Sequence, residues 1–353
     1  MGTKQTFILH DKPVTGIDIS PTGIKLMSIN TKKWSVLGYG SVDLDPAKAQ
    51  DSLSGKSSYF AESLKRLLDK HLCGHLPSDH VVLSVPTART YSRSITLPRG
   101  AERSLLDAVR LEAEQYIPIP LGELNIGYEI IERTNESIVV SVAAAPRILV
   151  NNIVGDCDAV GLRAIIVEPA INAVARITDR TEEGHLASVL VDIGAATTDI
   201  AILDKTIRAS AIVNDGGNTF TLRIADKMKV SLENAHQLKV LSGLNYGPKQ
   251  AKIRAALKPS LDNIVVEIQK IMRYYSERID SNKKIYQVII VGGGSNVPGI
   301  GDYFTEHLVM PARVASPWQM LDFGKLPQPA RQFKPRYITA AGLACIDPRE
   351  IWK

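Results

Sequence analysis

A short run of residues, DIGAATTDIAIL at 192–203, constrains the fold of this chain more than any other feature. Apolar residues that alternate on both sides of a stretch of tiny residues predict two strands joined by a tight turn. Such a turn can direct backbone N–H groups and the hydroxyls of Thr197 and Thr198 at a phosphate, while Asp192 beside it can hold a hydrated metal ion. Taken alone, the run is equally typical of an ordinary hairpin.

The same arrangement occurs near the start of the chain. In GIDISPTGIK at 16–25, Asp18 lies on a strand that precedes a tight turn. Two such hairpins can bind a triphosphate from both sides. Glycines at 216–217, at the predicted start of a helix, and the GGGSN run at 292–296 let the backbone approach a nucleoside closely. Together the four segments predict a nucleotide site.

Composition sets the class of protein. The 353 residues are 44% hydrophobic and 22% charged, which predicts a globular chain of about two domains and excludes disorder. The net charge of +5 is too small and too widely spread to indicate a nucleic-acid partner. The three cysteines lie far apart in the sequence, which is typical of reduced thiols in a cytosolic protein.

Two other nucleotide motifs are incomplete. Gly55-Lys56-Ser57 matches the end of a P-loop, but Gln50 stands where that motif requires a glycine. The GGGSNVPG run has Val297 at the last glycine position of a dinucleotide fingerprint. Neither a P-loop enzyme nor a nicotinamide-dependent dehydrogenase is therefore predicted.

A compact α+β segment separates the two hairpins. Strands are predicted at 81–85, 90–97, 126–131 and 137–145, and helices at 101–117 and 147–160. Pro118 ends the first of these helices. The pattern predicts a small module inserted at about 79–165.

The order of these elements resembles that of the actin-like ATPase superfamily across nearly the whole chain. The resemblance implies an α/β fold in which two actin-like (ribonuclease H-like) domains flank a nucleotide cleft, with ATP and Mg as cofactors. It places Asp18 and Asp192 toward the metal, through water. The implied nucleotide-binding residues are Asp18, Ser20, Thr22, Lys25, Asp192, Gly194, Ala195, Thr197, Thr198, Gly216, Gly217, Lys239, Gly292, Gly293, Gly294 and Asn296.

The inserted module narrows the resemblance to the FtsA and PilM branch. The segment at 81–120 resembles the small module of both, whereas EAEQYIPIP at 112–120 and VIIVGGGSNVPGI at 288–300 resemble the PilM family of type IV pilus assembly proteins. So does VNDGGNTFTLRIADKM at 213–228, followed by LENAHQLK at 232–239. The alternative is an FtsA-like cell-division protein that links a tubulin-like filament to the membrane. FtsA normally carries a C-terminal amphipathic membrane helix, and no such helix is predicted at the end of this sequence.

The resemblance also implies the domain order. The first actin-like domain would take 1–78, the inserted module 79–165, the return to the first domain 166–185, the second actin-like domain 186–325, and a C-terminal helix of the first domain 326–353.

Function and location are implied in the same way. PilM-like proteins lie in the cytoplasm at the inner face of the inner membrane, where they bind the short cytoplasmic N-terminal peptide of a PilN-type membrane protein. The matching groove would include Tyr116, Ile117 and Pro118. Other pilus motor or platform proteins are further candidate partners, and membrane contact would be indirect. The expected role is that of an ATP-binding scaffold for a type IV pilus or a related secretion or competence system.

Turnover of ATP is expected to be weak or absent. Hydrolysis requires a group that orients the attacking water, and Glu168 in IVEPAINAVAR at 166–176 is the local candidate. The same residue also suits a helix start, since Pro169 follows it. Pro21 removes one backbone donor from the first phosphate turn.

Overall fold

The computed structural model describes residues 12–182, 184 and 186–346. The chain divides into two compact units. The first takes the described residues up to Ile177, together with Gln319–Gln328 and those from Thr339 onward, and the second takes Thr178–Trp318 and Pro329–Ile338. The C-terminal segment that bears on the choice between PilM and FtsA lies largely outside the described residues.

The strands are β1 (Thr15–Ser20), β2 (Gly23–Asn30), β3 (Ser35–Asp43), β4 (Leu72–Gly74), β5 (His80–Val85), β6 (Tyr91–Pro98), β7 (Leu124–Arg133), β8 (Ser137–Pro146), β9 (Arg163–Pro169), β10 (Ser188–Ile193), β11 (Thr198–Asp204), β12 (Thr206–Val213), β13 (Gln287–Val291) and β14 (Ala312–Val314).

The α-helices are α1 (Pro46–Leu53), α2 (Tyr59–Arg66), α3 (Leu105–Glu114), α4 (Arg147–Asp158), α5 (Ala170–Thr181), α6 (Gly217–Met228), α7 (Leu232–Leu241), α8 (Gln250–Arg278), α9 (Ile300–Leu308) and α10 (Ile338–Ala344).

Each unit is built on a sheet of the same design. In the first, the order is β4-β3-β2-β1-β5-β9, with β1 antiparallel to β2 and parallel to β5. In the second, the order is β12-β11-β10-β13-β14, with β10 antiparallel to β11 and parallel to β13. The strand-turn-strand pattern that occurs twice in the sequence therefore opens an equivalent sheet in each unit. Mixed sheets packed with helices make the fold α/β, as predicted.

Continuous apolar runs form the centre of both sheets. VTGIDI and VVLSV in the first unit, and SVLVDI and QVIIV in the second, are almost entirely buried. Strands covered on both faces read as near-continuous apolar runs because neither face meets water. In the second unit, α8 packs Ile264, Ile268 and Tyr275 into the core of the sheet.

The small module has its own sheet, of order β6-β8-β7, covered by α3. This sheet spans 91–146 and is narrower than the predicted 79–165. Strand β5 pairs with β1, and α4 packs Leu149, Ile153 and Cys157 against the six-stranded sheet. An apolar run such as VVLSV does not reveal which sheet it joins, and this explains the difference.

Helix α8 also differs from its predicted bounds of 261–279. It begins at Gln250 and continues through Pro259. Proline removes one helical hydrogen bond, so the sequence favours a start after it, and packing of the residues on both sides overrides that preference. Among the described residues, no helix is long and apolar enough to cross a membrane.

Candidate functional site

The turn between β10 and β11 exposes a row of backbone donors. The last paired residues are Ile193 and Thr198, and the Gly194 N–H closes the turn on the Thr197 carbonyl at 2.9 Å. The N–H groups of the three residues 195–197 donate to no other group in the part of the chain that the structure describes. Successive unpaired amides in a tight turn form a concave anion site. The nucleotide-binding roles predicted for Ala195 and Thr197 are consistent with this geometry, whereas the Gly194 N–H is already used inside the turn.

The start of α6 is bound directly to that turn. The Gly217 N–H donates to the Gly194 carbonyl at 2.9 Å, and the Asn218 N–H donates to the Ala195 carbonyl at 2.8 Å. A Cβ at Gly216 would lie 2.8 Å from the carbonyl oxygens of Gly194 and Ala195. The glycines of this helix start are thus required by the approach of two backbone segments of the protein itself.

The GGGSN loop packs against the other side of the same turn. Gly292 has a φ of +86°, and a Cβ there would lie 2.1 Å from Asp192 Oδ1. A Cβ at Gly294 would lie 2.4 Å from Ile193 Cγ2. Gly293 instead faces the side chain of Arg336, whose Cγ would lie 3.2 Å from an added Cβ. The three glycine-containing segments therefore meet at one point of the second unit.

The Asn296 amide has an internal role. Its Nδ2 donates to the Gln332 carbonyl at 2.7 Å and to the Gly293 carbonyl at 3.3 Å. These bonds attach the 329–338 segment to the GGGSN loop. The donor that was predicted to line a nucleoside is therefore already occupied.

Lys239 is a buried cation beside the helix start. Its side chain is 5% exposed, and its Nζ donates to the Gly217 carbonyl and to Thr221 Oγ1, each at 2.8 Å. Burial lowers the pKa of this lysine to about 8. No carboxylate of the described residues lies within ion-pair distance of it, so its charge is balanced only by dipoles. A nucleotide contact for Lys239 stays a prediction.

Thr198 departs from its predicted role. It is fully buried, and its Oγ1 donates to the Asp215 carbonyl at 2.7 Å. The hydroxyl is therefore used inside the unit instead of facing a phosphate. Its position explains the difference, because β11 is buried along its whole length whereas Thr197, still in the turn, is partly exposed.

In the first unit, Asp18 is held by two side chains. Lys25 Nζ lies 3.2 Å from its Oδ2, and Ser84 Oγ donates to its Oδ1 at 2.9 Å. The same Ser84 oxygen accepts the Ile19 N–H at 3.2 Å. Asp18 and Lys25 are both nearly buried, so this is a desolvated ion pair. Sequence reasoning missed Ser84, although it is the lone hydroxyl within the apolar VVLSV run.

The turn after Asp18 offers fewer donors. Ser20 Oγ donates to the Gly23 carbonyl at 2.9 Å and accepts from Lys25 Nζ at 3.1 Å. Thr22 Oγ1 lies 3.3 Å from Ser20 Oγ, and Pro21 has no N–H. The predicted phosphate-facing residues Ser20, Thr22 and Lys25 are thus brought together, but they mainly bind one another.

Magnesium has little support from the geometry. The described residues contain no cluster of three or more potential metal ligands. The Asp18 carboxylate already has a cation and a hydroxyl as partners, and Asp192 lies against Gly292. The metal roles of Asp18 and Asp192 stay predictions.

Glu168, the predicted catalytic residue, forms a two-pronged ion pair. Arg176 donates from Nη1 to Oε1 and from Nη2 to Oε2, each at 2.7 Å. Arg176 also donates to the Gly342 carbonyl at 3.0 Å. Both oxygens of Glu168 thus serve to hold α5 and α10 to the end of β9, which favours a structural role over water activation.

The predicted partner residues lie at the end of α3. Ile117 is 5% exposed and packs with Ala113 and Leu124, so it belongs to the core of the module. The Tyr116 ring lies 5.2 Å from the Arg93 guanidinium, and its buried Oη has no partner among the described residues. Burial is the main cause that raises the pKa of Tyr116. Pro118 is exposed.

Solved structures with a similar fold include two informative ones. A PilM–PilN type IV pilus biogenesis complex is 22% identical with a TM-score of 0.78, and the match covers 94% of this chain and 97% of that one. MreB5 of Spiroplasma citri bound to AMPPNP is 13% identical with a TM-score of 0.54, and the match covers 94% of both chains. These likenesses establish the actin-like ATPase fold.

Sequence relatives point to the same branch. The cell division protein FtsA of Neisseria meningitidis serogroup B is 23% identical over 71% of this chain and 63% of the relative. The matches to FtsA span between 42% and 63% of the length of those relatives. The profile of the type IV pilus assembly protein PilM matches residues 16–346. The chain belongs to the PilM family of type IV pilus assembly proteins.

Proposed function

We propose that this protein is an ATP-binding scaffold of the inner-membrane assembly platform of a type IV pilus or a related system. The observation that carries the nucleotide part is the row of unpaired amides at 195–197, bordered by Gly217 and Gly292. Such a turn favours an anion, because each amide hydrogen carries partial positive charge and none has an internal acceptor. The buried Lys239 ammonium near the same helix start adds positive charge.

Phosphate binding can be tested at the exposed Ala196, the central residue of the turn. Ala196→Asp places a carboxylate among the amides and should weaken the binding of a fluorescent ATP analogue about tenfold or more by charge repulsion. Ala196→Asn is the matched control, because it has nearly the same shape without the charge. Equal affinity in the two variants, measured by titration, would contradict a phosphate site at this turn.

Binding of a PilN-type partner is the second part of the proposal. Support comes from family membership and from a surface on the module where Tyr116 Oη is buried without a described partner and Pro118 is exposed. An extended peptide could gain main-chain hydrogen bonds at a sheet edge and place apolar side chains in pockets beside Tyr116. The peptide would hold the protein at the inner face of the membrane.

The partner can be identified by cross-linking the tagged protein in its native membranes, followed by mass spectrometry. We expect a small single-span protein cross-linked through its cytoplasmic N-terminus. Tyr116→Ala should reduce the yield, whereas Tyr286→Ala, on an exposed tyrosine of the second unit, should not. Capture of a tubulin-like filament protein instead would favour the FtsA-like alternative.

Nucleotide is proposed to regulate the scaffold, with turnover weak or absent. The ion pair of Glu168 with Arg176 supports this, because a carboxylate that accepts two guanidinium hydrogen bonds is a poor base for water. Asp192→Ala should weaken ATP binding and partner binding together. Partner affinity that is indifferent to ATP would contradict this regulation, and rapid phosphate release would contradict the weak turnover.

A further inference from the structure

A buried aspartate outside the predicted site lies directly before the glycine pair of α6. Asp215 is 7% exposed, and its Oδ1 accepts from Ser260 Oγ at 3.0 Å while its Oδ2 accepts from Asn263 Nδ2 at 3.1 Å. Arg223 Nη2 lies 4.0 Å from Oδ1. Ser260 and Asn263 are three residues apart on α8, so both face the carboxylate from one side of that helix.

The backbone of the same residue is tied to the hairpin. Thr198 donates to the Asp215 carbonyl. Just after Asp215 in the chain, the amides of Gly217 and Asn218 donate to the carbonyls of Gly194 and Ala195 in the turn. Asp215 is thus the point where α8, the end of the hairpin and the start of α6 are joined. If Asp215 lost its hydrogen bonds to α8, its own position would no longer be fixed. The backbone that follows it would then no longer hold the Gly217 and Asn218 amides in their direction.

A second buried aspartate provides an internal comparison. Asp204, at the opposite end of β11, is also 7% exposed and binds the same long helix through Tyr275 Oη, which donates to Oδ2 at 2.9 Å. Lys283 is its other partner. Both aspartates therefore anchor α8 to the sheet, but only Asp215 adjoins the glycine segments.

We propose that Asp215 is a positioning residue for the anion-binding turn of the second unit, acting through Gly217 and Asn218. This inference rests on the proposed nucleotide function. The turn keeps its amides unpaired only while its carbonyls are engaged by α6. The carboxylate, held by Ser260 and Asn263, fixes α6 in the orientation that engages them, so helix α8 sets the geometry of the turn.

The test exchanges the donor and acceptor of the Asp215–Asn263 contact. Asn263→Asp faces one carboxylate with another at about the separation of a hydrogen bond, whereas Asp215→Asn can still turn its amide oxygen toward Asn263. The D215N/N263D double variant restores a donor opposite an acceptor. Asn263→Asp should weaken binding of the fluorescent ATP analogue about tenfold, and the double variant should recover most of the loss. Asp204→Asn is the control: it should lower the urea midpoint of unfolding but leave nucleotide affinity within about twofold.

A second readout does not depend on nucleotide. Hydrogen exchange of the Gly217 and Asn218 amides, measured without ligand, should be faster in Asn263→Asp and unchanged in Asp204→Asn, because only the first variant loosens the contact between α6 and the turn. Unchanged exchange at these amides, or equal effects of the two variants on affinity, would overturn the inference. If the wild-type protein binds no nucleotide while the exchange result holds, the proposed function fails and the positioning of the turn stands.

Discussion

The two aspartate-bearing hairpins hold equivalent places in their sheets but offer different chemistry. In the first, Pro21 lacks an N–H and the Asp18 carboxylate is neutralised by Lys25. In the second, the amides of 195–197 have no acceptor within the described part of the chain. An internally balanced turn gains little from a ligand, whereas a row of unpaired donors gains an acceptor for each.

The buried lysine beside each hairpin, Lys25 in the first unit and Lys239 in the second, shows the same difference in charge balance. Lys25 has a carboxylate at 3.2 Å, whereas Lys239 donates, among the residues that the structure describes, only to a carbonyl and a hydroxyl. A desolvated ammonium without a counter-charge is costly, and the cost falls when an anion binds nearby. Similar sequence patterns in the two units thus yield one turn that is complete without a ligand and one that is prepared for an anion.

The largest effect is expected where the second hairpin meets the GGGSN loop. Gly292→Ala forces a left-handed backbone on a residue with a Cβ and places that Cβ 2.1 Å from Asp192 Oδ1. The free energy of unfolding should fall by about 3 kcal/mol or more, measured by urea denaturation. Gly247→Ala, where nothing lies within 4 Å of the added Cβ, is the control. Equal midpoints for the two variants would show that the packing of this turn is not rigid.

The first hairpin should respond most to loss of its cation. Lys25→Met leaves Asp18 as a buried carboxylate without its ion-pair partner and should cost about 3 kcal/mol of unfolding free energy. Adding Asp18→Asn to that variant should recover part of the loss, because no uncompensated charge remains. If the single variant is as stable as the wild type, the two hairpins do not differ in charge balance.

A smaller effect is expected at the hydroxyl that supports Asp18. Ser84→Ala removes the donor to Asp18 Oδ1 and the acceptor of the Ile19 N–H, and should lower the free energy of unfolding by about 1–2 kcal/mol. Ser54→Ala, on an exposed serine, should change it by less than about 0.5 kcal/mol. Similar losses from both substitutions would argue against Ser84 as a specific support.

The smallest effect is a pH dependence from Lys239. Its pKa is about 8 in the folded state and 10.5 by reference when unfolded, so between these values the unfolded chain binds more protons. The free energy of unfolding should therefore rise with pH, by about 1 kcal/mol from pH 7 to pH 9, relative to a Lys239→Met variant. Chemical denaturation at several pH values measures this difference. Parallel curves for the two proteins would mean that the lysine keeps its ordinary pKa.

Local features of the site were readable from sequence. The tiny residues of 194–196, the glycines at 216–217 and 292–294, and the strands around them form short-range patterns with a direct structural meaning. Strand periodicity likewise predicted that a strand-turn-strand pattern recurs in each half, and the resemblance to the actin-like ATPase superfamily implied the two-domain α/β design. The structure brings these segments of the second unit together as expected.

Long-range partners were not readable. Ser84 lies 66 residues from Asp18, and Asn263 lies 48 residues from Asp215, so no spacing rule connects them. Glu168 lies at the end of a strand and Arg176 lies in the helix that follows it. The spacing rule of neither element therefore predicts that the two side chains face each other. Which strands join the sheet of the small module was not readable either, because a strand buried on both faces carries no sign of its neighbours.

The edge strand β7 bears on how the protein behaves at high concentration. Its register shifts between Ile130 and Glu132, and Glu129, Glu132 and Arg133 are exposed along it. A bulge and charged side chains are the devices by which sheets discourage unwanted pairing with a second chain. The module can therefore keep an open sheet edge in a crowded compartment without becoming a template for aggregation.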